Sequence, residues 1–326
     1  MMKHIFGLSK QPVTQAGILE KADLRKLEVM TGSADINVFI HDKPFIDIVL
    51  DTYENGPQLN IRHDRDTAVI ETIGGTGPRF FAFNHPPECL QIKVPMNVAE
   101  EWYIKSGSGD VDIPKMLTNS FHIKVGSGDV DLSSLKAKEA TLIASSGDMM
   151  IHDVVTDTLQ VSTTSGDTLL RKVKSNHVTG TSTSGEIEIM DIYSEKLIVK
   201  VTSGDISITD AQVEIVDLAC TSGDVEAENV KASKAFLRAT SGDVDYTYVD
   251  DCTIHGTVTS GDMNIICRNK QPNASIILRT SSGDVHTNVR EHIHQQSDRY
   301  ISGVIGKGEY TIQLESSSGD IDLLYR

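Results

Sequence analysis

The triplet Ser-Gly-Asp recurs along this chain, as in VTSGDISI at residues 201–208, and sets a hydroxyl two residues from a carboxylate. That pair could serve three chemistries. A Ser near an acid could belong to a nucleophilic site. An Asp among hydroxyls could ligate calcium. A Gly-Asp pair could also turn a corner, the Gly by tolerating positive φ and the Asp by accepting hydrogen bonds from nearby backbone amides. Spacing separates these options. The acid falls at Asp110, Asp129, Asp148, Asp167, Glu186, Asp205, Asp224, Asp243 and Asp262 in steps of 19, then at Asp284 after 22 and Asp320 after 36. Each follows a glycine: Gly109, Gly128, Gly147, Gly166, Gly185, Gly204, Gly223, Gly242, Gly261, Gly283 and Gly319.

So many copies of one nucleophile make no mechanistic sense. Calcium takes six to eight oxygens, more than one carboxylate and a few hydroxyls per repeat supply, and the GGxGxD nonapeptide of calcium solenoids is missing. The triplet therefore reads as a structural turn, with the acids forming a ladder and the glycines marking corners. Carboxylates stacked ~4.8 Å apart in water repel by roughly 0.9 kcal/mol per pair, which charge-assisted hydrogen bonds of about 1.5–3 kcal/mol offset. Within this ladder Glu186 is the odd member: its longer side chain predicts an altered corner.

Other chemistry-bearing residues are few. His292 and His294 in HIH have strand spacing that puts both rings on one face, with Glu291 and Asp298 nearby, a weak metal candidate without a third ligand fixed by spacing. His85 in FFAFNHPPE is isolated among aromatics expected to pack. No GxSxG, HExxH, Walker loop or GxGxxG is present. The four cysteines, Cys89, Cys220, Cys252 and Cys267, form no CxxC pair and read as small buried or half-buried hydrophobes with free thiols. These observations predict no catalytic residue and no cofactor.

The elements that position the triplet follow from alignment on the acid. One and three residues after it come pairs such as Val111/Ile113, Val130/Leu132, Ile187/Ile189, Ile206/Ile208 and Val225/Ala227, the period-2 alternation of a strand. Six after it comes another apolar residue: Met116, Leu135, Val154, Val173, Ile192, Ala211, Val230, Val249. A second alternating run lies eleven to fifteen after it, as in Leu197/Val199/Val201. The unit is strand, corner, short strand, turn, strand, and an unbroken period demands identical neighbours. The fold is predicted as all-β: a single-stranded parallel β-solenoid, right-handed, with 19-residue rungs. The parity slip at Gly204 predicts that Ser203 turns inward. Outward positions such as Lys200, Asp217, Arg238 and Thr257 read as varied stacked equivalents, with no flat Thr array.

Residues 1–100 lose the period after LRKLEVMTGSADINVFI, where Leu27, Val29 and Thr31 precede Asp35 and Ile36 and Val38 follow it, a degenerate first rung. They are assigned as a β-rich cap and residues 101–326 as the solenoid, with a loop at about 286–311. Only IDLLYR follows the last triplet. Either the loop folds over an open final rung or that rung pairs with a second copy, giving an end-to-end homodimer.

The chain has 326 residues, 39% hydrophobic and only 5% aromatic, with a formal charge of −16. That charge repels phosphate backbones, which excludes nucleic acid as a partner. No window has the ~20 apolar residues of a membrane span, and the N-terminus lacks a signal-peptide core. A cytoplasmic location is expected.

The strand GSADINV, the strand LQIKVP ending at Pro95, and the SGSGDVDI-type repeats that start at Ser108 resemble bacterial proteins of unknown function named "putative adhesin", with Ser-Gly-Asp β-strand repeats. The resemblance covers nearly the whole chain. It implies a parallel β-solenoid, a bacterial source, no established enzymatic activity and, through the adhesin label, the cell surface as an alternative location. The expected function is a non-enzymatic scaffold or binding module whose partner is a protein or cell-envelope component. The alternatives are a carbohydrate-binding or polysaccharide-cleaving β-helix and a polymerising, bactofilin-like scaffold.

Overall fold

The computed structural model describes residues 11–20, 24–74, 86–269, 271–290 and 292–326. Every long element is a strand, and the strands stack in parallel coils repeating at 19 residues, the β-solenoid that the alternation predicts. The chain divides into two compact units, residues 1–147 and 148–326.

The second unit opens with five 17-residue strands, Met149–Ser165, Thr168–Ser184, Ile187–Ser203, Ile206–Ser222 and Val225–Ser241. Each pairs with the next in register, so residue n faces n+19. The inward set matches the expected one: Ile206, Ile208, Ala211, Val216, Leu218 and Cys220 are all buried. Burial of each Val, Leu or Ile contributes about 1.5–3 kcal/mol, and that aliphatic column forms most of the core, with Thr163, Thr168, Ser175 and Ser182 buried among it. A second corner in each strand sits five residues after the acid, where Asp153, Lys172, Asp191, Asp210 and Asn229 adopt φ of 47 to 61°. Asp and Asn tolerate this left-handed region because their short side chains bond locally; Lys172 holds it without that help.

The first corner differs from expectation in one respect. Val201 is buried, but Thr202, Ser203 and Asp205 are exposed before Ile206 returns inward. The parity slip is spread over the whole turn, so the triplet's Ser faces solvent.

The rest of this unit abandons sequential stacking. Thr253–Ser260 and Met263–Cys267 continue the column, and the chain then steps over one rung height to lay down Ala274–Ser282 and Val285–Thr287. The hairpin Ile293–Ser297 and Tyr300–Ile305 covers the outer edge of Ala274–Ser282 in antiparallel fashion. Tyr310–Ser318 and Ile321–Tyr325 then fill the skipped level. Ile312 pairs with both Ile254 and Ile276, and Leu323 with both Ile265 and Thr287. The final triplet is therefore flanked on both sides, not left as an open rung, and the hairpin strand Tyr300–Ile305 covers the edge of Ala274–Ser282. The three extra residues between Asp262 and Asp284 are those that climb past the skipped level. Asp251 pins the climb, its Oδ1 accepting from Asn269 Nδ2 at 2.8 Å and from the Asn273 amide at 3.1 Å. Here too the second corner is remodelled: Tyr246 and Tyr248 point inward, and Val249, expected inside, is half-exposed.

In the first unit Leu24–Thr31 and Asp35–His41 form the degenerate rung. It too is flanked on both sides, by Ala99–Ser106 and Val111–Ile113 on one and by Thr67–Ile73 and Cys89–Pro95 on the other. Phe45–Tyr53 and Pro12–Glu20 extend one sheet and Gln58–Asp64 the other, all antiparallel. His85 and Glu291 lie outside the described residues.

Candidate binding surface

The ladder of acids is real, and its hydrogen bonds explain it. The Asp205 Oδ1 accepts from the Asp224 amide at 2.8 Å, and the Ile206 amide donates to the Asp224 carbonyl at 2.9 Å. The same side-chain bond joins Asp35 to Asp110 (3.0 Å), Asp110 to Asp129 (2.9 Å), Asp148 to Asp167 (2.8 Å), Asp224 to Asp243 (2.8 Å) and Asp243 to Asp262 (2.7 Å). At the end of the second unit it runs from Asp262 to Asp320 and from Asp320 to Asp284, both 2.8 Å, in spatial rather than chain order. One oxygen of each of these carboxylates is thus committed to the backbone amide of the neighbouring rung, so the bond ties one rung to the next in place of the expected local turn bond. Past Asp284 the hairpin takes over: the Val285 amide donates to the Asp298 carbonyl at 2.7 Å, standing in for the next acid.

The glycines have two reasons to be glycine. Gly223 has φ +134°, and a Cβ there would strike the Gly204 carbonyl and lie 2.7 Å from Asp205 Oδ1. At Gly109, which has no positive φ, the collision with the Ala34 carbonyl alone excludes a side chain.

Glu186 breaks the ladder as its length predicts. Its amide still donates to Asp167 Oδ1 at 2.8 Å, and the Ile187 amide still reaches the Asp205 carbonyl at 3.0 Å. Among the described residues, however, no hydrogen bond joins the Glu186 carboxylate to the Asp205 amide. Burial, then the charges of Glu188, Asp167 and Asp205, raise the Glu186 carboxyl above its ordinary value.

Around this gap the outward columns turn apolar. Met150, Leu169 and Glu188 stack in register, followed by Ser207 and Glu226; Val155, Lys174 and Tyr193 stack likewise, followed by Gln212 and Lys231. Tyr193 is 54% exposed, Met150 47% and Val155 46%, large values for such side chains on a regular sheet. Two grooves lie on either side of the corner at Asp153, Lys172 and Asp191. One, of about 210 Å³, has Met150 and Leu169 between Asp148, Asp167, Glu186 and Glu188. The other, of about 510 Å³, has Val155 and Tyr193 among Asp153, Lys172, Lys174 and Asp191. These are exposed apolar side chains with a charged rim, the composition of a contact surface.

Sequence reasoning missed this strip because it followed other columns and misaligned one of them. Lys200 stacks on Ala219, and Ala219 on Arg238 and then Thr257, whereas Asp217 lies one column over, between Ile198 and Phe236. Arg238 and Asp217 are ion-paired diagonally. The overlooked signal was Met150, Leu169, Val155 and Tyr193 standing where later rungs carry Ser, Glu, Gln and Lys. A run of exposed threonines, Thr164, Thr183, Thr202, Thr221, Thr240 and Thr259, was also overlooked beside the triplet serines.

His292 takes φ 55° just before the strand Ile293–Ser297, whose register shifts between Ile293 and Gln295; both His292 and His294 are exposed. Among the described residues no group of three His, Cys, Asp or Glu could hold a metal. All four cysteines are free, Cys89 half-buried and the others buried. Burial is the main cause that raises each thiol, Cys252 to about 12. Among the described residues no helix is long and apolar enough to cross a membrane.

A family model described as Toastrack DUF4097 matches the chain over residues 25–192 and again over 171–324. Among solved structures, the chain is similar to a "putative lipid binding protein" from Parabacteroides distasonis ATCC 8503, at 15% identity, 96% of each chain covered and a TM-score of 0.42. It is similar to a "putative adhesin" of the same organism at 11% identity, with 97% of this chain and 98% of that one covered and a TM-score of 0.42. It is also similar to a "putative adhesin" from Parabacteroides merdae ATCC 43184, at 14% identity, with 94% and 96% covered and a TM-score of 0.36. No curated protein matches the chain.

Proposed function

The chain belongs to the Toastrack DUF4097 family, and on that premise we propose that it is a non-enzymatic, adhesin-like binding module that offers a rigid solenoid surface to a protein or cell-envelope partner. The observation that carries the reading is the strip of Met150, Leu169, Val155 and Tyr193, apolar where the same columns are polar one or two rungs on. Exposed apolar side chains with a charged rim are where partners dock, and here they form two clusters, Met150 with Leu169 and Val155 with Tyr193 across Lys174. The repeated acids contribute to this surface only as its rim, where Asp148, Asp167 and Glu186 border Met150 and Leu169. A formal charge of −16 favours a partner with basic groups over nucleic acid. Four free thiols suit a reducing compartment, so the proposed location is cytoplasmic.

The test is site-specific photocrosslinking in the native cell. A photoreactive residue at Tyr193 or Met150 is expected to give a discrete adduct, while one at Gln212 or Ser207, the same columns one rung or more away, gives much less. Equal yields at all four positions would refute the surface. Fractionation of the same cells checks the compartment.

A further inference from the structure

We propose that the level between Thr253–Cys267 and Ala274–Thr287 is a binding slot for residues 310–326 of a second copy of this chain, so that two molecules exchange this rung and form a dimer. The slot exists because the chain skips a level and fills it later. Both of its walls are parallel strands: Tyr310–Ser318 bonds to Thr253–Ser260 on one side and Ala274–Ser282 on the other, and Ile321–Tyr325 to Met263–Cys267 and Val285–Thr287. The insert supplies Ile312, Leu314, Ile321 and Leu323, each at most 1% exposed, and the Asp320 steps of the ladder. An insert from another copy would make every one of these contacts unchanged. Exchange therefore alters only the hinge, the condition under which domain swapping is cheap.

The hinge has the necessary features. The turn between Tyr300–Ile305 and Tyr310–Ser318 contains Gly306 at φ 61° and Gly308 at φ 71°. Its closed form is held by the Asn273 side chain, whose Oδ1 accepts from the Lys307 amide at 3.0 Å and the Glu309 amide at 3.1 Å and whose Nδ2 donates to Glu309 Oε2 at 2.9 Å, and by Ser275 Oγ, which donates to the Gly308 carbonyl at 3.2 Å. The insert also fits less completely than its neighbour. Thr280 Oγ1 bonds to the Ser282 and Gly319 carbonyls, whereas Ser316, its register partner, has a buried Oγ without a hydrogen-bond partner among the described residues.

The experiment mixes two differently tagged full-length populations at high concentration, holds them a few degrees below the thermal midpoint, cools them, and measures co-purification and light scattering. A mixed dimer that survives dilution is expected, with Asn273→Ala raising its fraction several-fold by loosening the hinge. A Thr280→Cys/Ser316→Cys variant, oxidised to tie each insert to its own slot and checked by mass spectrometry, should lower the mixed dimer at least tenfold, and reduction should restore it. Absence of mixed dimer from both the wild type and Asn273→Ala would overturn the proposal. So would a dimer that forms equally well in the oxidised variant.

Discussion

Residues 148–242 and 243–326 share one unit and one inward pattern, yet they are built differently. In the first stretch the five long strands lie on one another in chain order, and the second corner of each holds its residue, Asp153, Lys172, Asp191, Asp210 or Asn229, in the left-handed region. In the second, Tyr248 occupies the interior where that corner would be, and rung order departs from chain order. Tyr248, Cys267 and Tyr325 succeed one another in register through this section. The contrast teaches that stacking geometry and connectivity are separable. The same Gly-Asp corner serves neighbours that are 19, 36 or 58 residues apart.

Substitutions can sharpen or break that contrast. The largest effect belongs to Gly223→Ala in the regular stretch, where positive φ and the Gly204 carbonyl both oppose a Cβ; a loss of about 4 kcal/mol in urea unfolding is expected. Gly32→Ala, with nothing within 4 Å of the new Cβ, should change stability by no more than about 0.5 kcal/mol. Leu314→Ala in the inserted rung should cost about 3 kcal/mol. Hydrogen exchange should then rise in residues 253–260, 274–287 and 310–325 but not in 168–222. An equal rise in 168–222 would mean that the two stretches unfold as one.

Asp205→Ala removes the acceptor of the Asp224 amide and should cost about 1.5 kcal/mol, while Asp205→Asn, which keeps an oxygen there, should cost less. Glu186→Asp should run the other way, restoring the missing bond to the Asp205 amide and gaining about 1 kcal/mol at neutral pH. The pH dependence of that gain has a fixed sign. Because the folded Glu186 carboxyl lies above its ordinary 4.5, its cost is fully present above the folded value and disappears as pH falls below 4.5. The advantage of the Asp variant should shrink over that descent, which thermal melts at several pH values can follow.

Much of this architecture was readable before any coordinates. Nine triplets in strict step fixed the rung, and the inward set at Ile206, Ile208, Val216 and Leu218 followed from period-2 alternation. Asp35 proved a true member of the ladder despite lying 75 residues before Asp110. What could not be read was order. Steps of 22 and 36 announce insertions, but nothing in a one-dimensional pattern says that residues 310–325 lie between 253–267 and 274–287, since pairing between distant segments leaves no local periodicity. The direction of Ser203 failed for a different reason: alternation was carried through a turn, where strand geometry no longer holds. The apolar strip was hidden because repeats are read for what they share, and Met150 and Tyr193 matter as departures.

The skipped level also imposes a schedule on synthesis. As the chain emerges at roughly 5–20 residues per second, each rung from 148 to 267 can dock on a finished neighbour. Residues 274–305, however, must wait beside two unpaired strand edges until 310–325 arrive to join them. For those seconds the nascent protein presents a bare, two-sided gap of the kind that templates aggregation. Any delay between the emergence of residues 274–287 and the docking of 310–325 would prolong that exposure.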